Sequence, residues 1–465
     1  MGVILYGSIF SPPCRAVLIT AEALGVPIQI KDVNIGEKEH LSPEFLKINP
    51  QHTVPTLDDN GTIVIDSHAI LPFLVSKYAK DDCFYPKDLG KRALIEARLH
   101  FDSGSAFSVL KAVYRSHLYE GQLEYLTELQ TQKILEVYAL LNTFLERTEW
   151  IAGDHLTIAD ISLVTTVNSL EAMLAIDARK FPKIVKWSEK ANELPFFSIN
   201  KIGRKQYLDK WKVVSKHQFD SITLSIQKLL TQIEFSVGLN QPAVSTMAPK
   251  LYYMAASPPC RAVLMVAKAI GLELELEAVE FEQLRTEEIL ELNPQHTVPI
   301  LVDADEDFTI WDSHAIAIYL VGQYGNDDSL YPKNDVKQVA VINQRMQFDN
   351  ILFDKCKAAF HPIMMGIEDV VSEEASDCML ESLGLLEIFL KDKPWIAGDD
   401  LTIADLTILA LVATVEEVVF PIDPERFPKL SEWFNKAKEL PYFEECNREG
   451  LDKMGQLVRH EVPLI

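Results

Sequence analysis

The sequence predicts an α/β domain followed by an all-helical domain, with this pair of domains present twice in one chain. Three observations carry the prediction. Blocks of the first half return in the second, strand and helix signals alternate at the start of each half, and helical periodicity then replaces the strand signals. The 465 residues fit two copies of a two-domain unit as well as the three domains that length alone favours.

The repeat consists of three motifs that occur once in each half. They are SPPCRAVL at 11–18 and 257–264, NPQHTVP at 49–55 and 293–299, and DSHAI at 66–70 and 312–316. Matching motifs lie about 245 residues apart, which is far longer than the period of a solenoid. The chain is therefore predicted to be a tandem duplication of one whole protein.

Each half begins with the signals of a small α/β unit. In the first half an apolar strand at 3–6 leads into a helical pattern at 15–24, which Gly25 ends. A second strand follows at 28–33, and a turn signal then precedes a strand at 62–65. The second half repeats this order, so we expect about 80 residues of α/β structure in each copy.

The remainder of each half is predicted to be helical. Amphipathic patterns such as those at 92–101 and 132–145 replace the strand signals. Thr157 with Asp160, and Thr402 with Asp405, have capping-box spacing, and we assign these pairs a structural role.

The predicted boundaries follow from these changes in pattern. They are 1–82 (α/β, first copy), 88–215 (helical, first copy), 216–248 (connector), 249–326 (α/β, second copy) and 333–465 (helical, second copy).

Composition excludes several classes of function. A formal net charge of −24 argues against binding to nucleic acid or an anionic membrane. We find no secretory signal and no apolar run near the ~18–20 residues of a membrane span. The six cysteines do not form a disulfide framework in a chain of this length, so we expect a cytoplasmic protein.

The motif Ser-Pro-Pro-Cys at a strand–helix junction carries the first chemical signal. Thioredoxin-type proteins place Cys-x-x-Cys there, because a helix N-terminus stabilises a thiolate. Here serine replaces the first cysteine, and a hydroxyl can donate a hydrogen bond to a thiolate that arrives with a ligand. Ser11 and Ser257 are thus candidate catalytic residues, and the simpler alternative is a helix cap.

Two further motifs complete a possible ligand site. A proline that heads a strand is often cis, and such a bend leaves the main chain of Val54 or Val298 free to pair with a peptide. Asp-Ser at a helix start suits an amino-acid head group, because the helix N-terminus takes a carboxylate and the aspartate an ammonium. An edge strand and a helix cap are the simpler alternatives.

With these motifs, both halves resemble cytosolic glutathione transferases, closest to the insect delta and epsilon classes. The resemblance implies a thioredoxin-like domain plus an all-α domain in each copy, with glutathione as co-substrate, no metal and apolar electrophiles as substrates. It also implies a set of glutathione-binding residues. These are His40, His52, Val54, Pro55, Asp66, Ser67, His68 and Arg115 in the first copy, and His296, Val298, Pro299, Asp312, Ser313 and His314 in the second.

The two copies are not equivalent. His40 corresponds to Gln283, and the thirteen-residue step from Asp102 to Arg115 leads from Asp349 to Pro362. The first copy is therefore more epsilon-like, although His40 and Arg115 could also be surface residues.

The electrophile pocket is expected between the two domains of each copy. Its candidates are Phe107, Lys111, Tyr114, Leu118, Phe353, Phe360, Met364 and Met365, although apolar residues at helical spacing are also typical of a core.

Three functions compete at this point. The first is a transferase with two sites, in which the copies pair with each other across a connector of ~30 residues whose reach is about 30 Å. The second is a protein that binds apolar compounds without turnover. The third is a glutathione-dependent reductase or peroxidase that uses Cys14 and Cys260.

Overall fold

The computed structural model describes residues 2–118, 126–211 and 248–459. Apart from residue 248, the predicted connector lies outside this part of the chain, as does the side chain of Leu118. The predicted domain boundaries therefore remain predictions. Among the described helices, none has the length and apolar composition needed to cross a membrane.

The first copy begins with a four-stranded sheet and three helices. The strands are β1 (Val3–Gly7), β2 (Ile28–Asp32), β3 (Thr56–Asp59) and β4 (Thr62–Ile65), and the helices are α1 (Pro12–Leu24), α2 (Pro43–Ile48) and α3 (Ser67–Tyr78). In the order β2-β1-β3-β4, β1 runs parallel to β2 and antiparallel to β3. Gly25 ends α1 with a φ of 69°, a left-handed conformation that glycine adopts without steric cost.

Six further helices follow in the described residues of the first copy. They are α4 (Leu89–Phe101), α5 (Phe107–Leu118), α6 (Glu128–Phe144), α7 (Ile158–Met173), α8 (Pro182–Asn192) and α9 (Ser198–Trp211). A π-helical turn at Asp102–Ala106 connects α4 to α5.

The predicted capping box at Thr157 and Asp160 is confirmed at the start of α7. The buried Asp160 carboxylate also accepts hydrogen bonds from Ile151 N (2.7 Å) and Trp187 Nε1 (2.9 Å). Asp405 has the same role in the second copy, where it accepts from Ile396 N and Trp433 Nε1. The motif therefore holds the centre of each helical domain together.

The second copy repeats the order of elements in the first, except that one long helix takes the place of α4, the π-helical turn and α5. Its strands are β5 (Lys250–Tyr253), β6 (Glu275–Ala278), β7 (Ile300–Asp303) and β8 (Phe308–Trp311), in the sheet order β6-β5-β7-β8. Its helices are α10 (Pro258–Ala269), α11 (Glu287–Leu292), α12 (Ser313–Tyr324), α13 (Val336–Met364), α14 (Glu373–Phe389), α15 (Ile403–Thr414), α16 (Pro428–Lys438) and α17 (Phe443–Arg459). The predicted fold class, a thioredoxin-like domain plus a helical domain in each copy, is confirmed.

Helices of the two copies pack against each other in a reciprocal manner. α4 of the first copy lies against α12 of the second, and α13 of the second lies against α3 of the first. Ala93 of α4 joins the hydrophobic core of the second copy, and Ala340 of α13 joins the core of the first. Each copy thus buries part of its core against the other.

Candidate glutathione site

Ser11 and Ser257 lie where the first strand of each sheet passes into a helix. Ser11 is the N-cap residue of α1 and Ser257 that of α10, each with an extended backbone at φ −73°. Neither hydroxyl makes the side-chain hydrogen bond to the helix that is usual for an N-cap serine. The interpretation of these hydroxyls as caps is therefore wrong. Both side chains are partly exposed at the positive end of a helix dipole.

Cys14 and Cys260 lie one turn further along these helices and are fully buried. Burial raises the pKa of each thiol to about 11, although the neighbouring serine side chain lowers it in part. Neutral, inaccessible thiols are poor nucleophiles. This geometry disfavours a reductase or peroxidase that depends on these two cysteines.

A buried arginine, which sequence reasoning did not single out, holds the serine loop of the first copy. Arg15 Nη1 donates to the carbonyl oxygens of Ile9 (3.2 Å) and Phe10 (2.8 Å), and its Nε donates to Asn200 Oδ1 (3.0 Å). Its Nη2 donates to Ser169 Oγ (2.7 Å). The loop before Ser11 is therefore fixed to α7 and α9, both in the helical domain.

The second copy has the corresponding arginine. Arg261 Nη1 donates to Asn447 Oδ1 (2.9 Å), and its Nη2 contacts α15 at Ala410 O (3.3 Å). Burial lowers the pKa of Arg15 and Arg261 to about 10, so both remain charged at neutral pH. The repetition of this arginine in both copies of the motif was the signal that could have revealed its role.

Gly203 of α9 and Gly450 of α17 permit close approach of these helices to the serine loop. A Cβ atom on Gly203 would lie 2.7 Å from Ile9 O and 2.3 Å from Arg15 Cδ. A Cβ atom on Gly450 would lie 2.1 Å from Ala255 O. Only glycine fits at these positions, so the two residues set the distance between the loop and the helical domain.

The Val-Pro bonds have the predicted form in both copies. Val54–Pro55 and Val298–Pro299 are cis, and both prolines are buried. No backbone–backbone hydrogen bond outside the regular elements involves Val54 or Val298 in the described residues. Asn49 shapes the first loop, because its Nδ2 donates to Thr53 O (2.9 Å) and Thr56 Oγ1 (2.9 Å).

The candidate histidines at the glycine end of the ligand are close together only in the first copy. The rings of His40 and His52 lie 6.1 Å apart, whereas the counterpart of His40 is the exposed Gln283. Partial burial and the neighbouring His52 lower the pKa of His40. His52 Nε2 also lies 3.3 Å from Glu381 Oε1 on α14 of the second copy. His52 and His296 share a φ of 47°, a conformation that is strained for residues other than glycine.

The Asp-Ser-His motif caps a helix and still exposes its carboxylate. Asp66 is the N-cap of α3 and accepts from His68 N (2.8 Å), while 30% of its side chain remains exposed. Asp312 caps α12 in the same way and is 24% exposed. Both aspartates have a positive φ, 73° and 79°. Capping and ligand binding are therefore compatible here, although Ser67 and Ser313 are nearly buried.

The histidine of this motif points away from the surface. His68 is buried, and its Nε2 lies 3.2 Å from Asp102 Oδ2 and 2.9 Å from Ser162 Oγ. Burial would lower the pKa of His68, but Asp102 and Asp66 outweigh burial and raise it. His314 lies in the same way between Asp312 and Asp349. In each copy the histidine thus lies on the buried side of the aspartate, with its Nδ1 3.7 Å from the carboxylate.

A cluster of His100, Asp312 and His314 offers three potential metal-ligand atoms within 4.8 Å of one another. The two imidazole rings stack at 4.4 Å with 14° between their planes. A histidine lone pair lies in the ring plane, so parallel rings cannot both direct their nitrogens at one ion. The expectation that the protein uses no metal remains a prediction.

The candidates for the electrophile pocket fall into different environments. Phe107, Tyr114 and Phe353 are half-buried, Phe360 is buried, and Met364 and Met365 are exposed. Lys111 is exposed with Asp354 of α13 as a charged neighbour, and Arg115 is exposed on α5. Sequence reasoning missed two aromatic residues beside Ser11. They are Phe10 and Tyr207, which stack with ring centroids 4.2 Å apart.

Comparison with known proteins finds the same family in both halves of the chain. Models of the glutathione S-transferase N-terminal domain match residues 5–82 and 256–322, and the model of the C-terminal domain matches 107–195 and 355–441. Glutathione S-transferase 1 of Manduca sexta is 39% identical over 217 residues, which are 46% of this chain and 98% of that protein. Glutathione S-transferase D7 of Anopheles gambiae is 38% identical over 193 residues, which are 42% of this chain and 87% of that protein.

Solved structures of insect glutathione transferases also match part of the chain. An epsilon-class glutathione S-transferase of the housefly Musca domestica has 46% identity and a TM-score of 0.44, and the match covers 45% of this chain and 97% of that one. A delta-class glutathione transferase of Nilaparvata lugens has 39% identity and a TM-score of 0.43, and the match covers 46% of this chain and 99% of that one. The relatives of Manduca sexta and Anopheles gambiae each match less than half of this chain but most of their own length. The chain belongs to the glutathione S-transferase family and contains two copies of the family's two-domain transferase unit.

Proposed function

We propose that each copy conjugates glutathione, through its thiolate sulfur, to apolar electrophiles, and that Ser11 and Ser257 stabilise this thiolate. The supporting observation is that both hydroxyls lie at helix N-termini and make no capping bond. Such a hydroxyl can donate a charge-assisted hydrogen bond to sulfur, and the helix dipole adds to the effect. Each unit by which the thiol pKa falls corresponds to about 1.4 kcal/mol.

The tripeptide would extend along one edge of each α/β domain. In the first copy its glycine end meets His40 and His52, its cysteine main chain pairs with Val54 before Pro55, and its γ-glutamyl end meets Asp66 and Ser67. The exposed part of the Asp66 carboxylate supports the last contact. Arg115 would contact the ligand from the helical domain.

The second copy would bind glutathione with the corresponding residues. These are His296, Val298, Pro299, Asp312 and Ser313, with His314 behind Asp312 as His68 is behind Asp66. Gln283 replaces His40 here, so we expect the two copies to differ in glutathione affinity.

We further propose that the two copies pair with each other inside one chain. The reciprocal packing of α4 on α12 and of α13 on α3 supports this arrangement, because a twofold interface uses the same surface of both partners. Intramolecular pairing also needs no second chain, so it does not depend on protein concentration.

Replacement of the serines tests the proposal. Calorimetric titration of the full chain with glutathione should count two sites, and Ser11→Ala and Ser257→Ala should each remove part of the conjugation of a chloronitrobenzene. The double variant should lose nearly all of it. Ser372→Ala is the matched control, because Ser372 is an N-cap whose hydroxyl does accept a bond from Ala375 N. If the double variant keeps its rate, the serine assignment is wrong. Glutathione binding without conjugation would favour sequestration of ligands instead.

A further inference from the structure

Among the described residues, three aromatic rings cluster beside Ser11, namely Phe10, Tyr114 and Tyr207, and we call them the aromatic cluster. Phe10 stacks on Tyr207 with centroids 4.2 Å apart and 8° between the rings. Tyr114 lies 5.6 Å from Phe10 and 5.9 Å from Tyr207. Because Phe10 directly precedes Ser11 in the chain, the cluster adjoins the proposed position of the glutathione sulfur.

The aromatic cluster is held in place by the helical domain. Tyr207 is 6% exposed, and the Arg15 guanidinium lies 5.7 Å from its ring centroid. Arg15 also fixes the main chain of Phe10 through the 2.8 Å bond to its carbonyl oxygen. Phe10 is half-buried, so its ring, supported by the buried Tyr207, offers a preorganised surface to a flat ligand, with little entropy left to lose.

The second copy replaces the stacked pair with non-aromatic residues. Ser257 corresponds to Ser11, so Ala256 corresponds to Phe10. Asn447 accepts from Arg261 as Asn200 accepts from Arg15. Gly450 lies against Ala255 as Gly203 lies against Ile9. By the same spacing Met454 corresponds to Tyr207. Ala256 and Met454 are both buried, and methionine is a flexible side chain that adapts to irregular ligands.

We infer that the two sites divide the electrophiles between them: Phe10 and Tyr207 make the first copy selective for flat aromatic electrophiles, and Ala256 and Met454 leave the second copy suited to aliphatic ones such as 2-alkenals. This inference rests on the proposed transferase function and deepens it. Stacking of a substrate ring on an aromatic side chain adds to the affinity gained from burial alone.

The two reactions share the nucleophile, but the first is a substitution with a leaving group and the second is an addition without one. On a chloronitrobenzene, the thiolate sulfur bonds to the ring carbon that bears chlorine, and chloride departs with the bonding electrons. On a 2-alkenal, sulfur bonds to the β-carbon, and the α-carbon takes up a proton from water. The first reaction presents a planar ring to the site, whereas the second presents a flexible chain.

Single-serine variants separate the two sites of the full chain. Ser257→Ala leaves the first site working, and Ser11→Ala leaves the second. For each variant, kcat/KM is measured with a chloronitrobenzene and with a 2-alkenal. We expect the ratio of aromatic to aliphatic kcat/KM to be about tenfold higher in Ser257→Ala, as one or two stacking contacts would give.

Exchange of residues between the two sites then tests whether the aromatic cluster causes the difference in substrate preference. Phe10→Ala with Tyr207→Met, made in the Ser257→Ala background, should lower the ratio of aromatic to 2-alkenal kcat/KM about tenfold, whatever common loss both reactions share. Ala256→Phe with Met454→Tyr, made in the Ser11→Ala background, should raise the ratio. If the double exchange does not fold, Phe10→Leu is used in its place, because it removes the aromatic ring and keeps most of the apolar volume.

The outcomes distinguish this inference from the function on which it rests. Equal substrate ratios in the two single-serine variants would overturn the division of substrates and leave the transferase assignment intact. Equal losses for both substrates in Phe10→Leu would also overturn it, because a structural defect affects both reactions alike. Full activity in the variant that lacks both serines would instead overturn the proposed function.

Discussion

His100 of the first copy stacks on His314 of the second, with ring centroids 4.4 Å apart and 14° between the ring planes. Burial alone would lower the pKa of His314, but Asp312 and Asp349 raise it to about 10. His100 has amide neighbours, with Asn350 Nδ2 2.9 Å from its Nδ1, and burial lowers its pKa to about 3 although the nearby Asp312 raises it in part. An imidazolium and a neutral imidazole thus meet where the copies join.

We predict that His314→Gln destabilises the protein by about 3–5 kcal/mol, because it leaves the two aspartates without their buried cation. The folded-state pKa lies above the ordinary value of 6.5, so this stabilisation is fully present below pH 6.5 and is lost as the pH rises through about 10. Urea unfolding measures the difference. The control is His155→Gln at an exposed loop position, which should change stability by less than about 0.5 kcal/mol. Similar losses in the two variants would refute the role of His314.

The neutral His100 predicts sensitivity to acid. Its folded-state pKa of about 3 lies below the ordinary 6.5, so the unfolded chain binds one more proton between these values. This one group should cost up to about 1.4 kcal/mol of stability for each pH unit below 6.5. His100→Gln introduces the residue that the second copy has at the corresponding position, Gln347. In this variant the free energy of unfolding should fall less steeply as the pH drops below 6.5. The measurement is unfolding free energy against pH for both proteins, and parallel profiles would contradict the prediction.

The candidate site was predictable where its residues are neighbours in sequence. Ser11, Val54–Pro55 and Asp66–Ser67 each belong to a short motif whose local geometry the residue types indicate, and the structure has the expected helix starts and cis bonds. The order of strands and helices was predictable for the same reason. Hydrophobic periodicity and turn residues are local signals.

The supporting residues were not predictable, because they meet through tertiary packing. Arg15 and Asn200 are 185 residues apart in sequence, and no local pattern connects them. The motif placed His68 at the ligand, whereas its ring turns inward to Asp102. The pairing of His100 with His314 depends on how the copies pack, which neither copy encodes alone.

Gly203→Ala should impair the first site through the serine loop. The added Cβ atom would lie 2.7 Å from the fixed carbonyl oxygen of Ile9, so α9 or the loop must shift. We predict a loss of stability of about 1–3 kcal/mol and a lower conjugation rate in a protein whose second site is inactivated by Ser257→Ala. Steady-state kinetics with glutathione and a chloronitrobenzene, together with urea unfolding, measure both effects.

The matched control is Gly384→Ala in the middle of α14. An added Cβ atom there has no neighbour within 4 Å, and alanine favours a helix over glycine by about 0.5–1 kcal/mol. This variant should be as stable as the parent or more so, with its activity retained. If Gly203→Ala behaves like Gly384→Ala, the close approach of α9 to the serine loop does not limit the site.

Internal pairing predicts that the full chain sediments at its own mass of 52.5 kDa over the micromolar range. Ala93 of α4 is fully buried in the core of the second copy, so Ala93→Glu would place a charge in that core. The sedimentation coefficient of the Ala93→Glu variant should fall while its mass stays constant, because the two copies separate within one chain and the molecule becomes more extended. Ala358→Glu, at an exposed position on α13, should leave the coefficient unchanged. A parent protein of twice the mass, which dissociates on dilution, would show instead that each copy pairs with a copy in another chain.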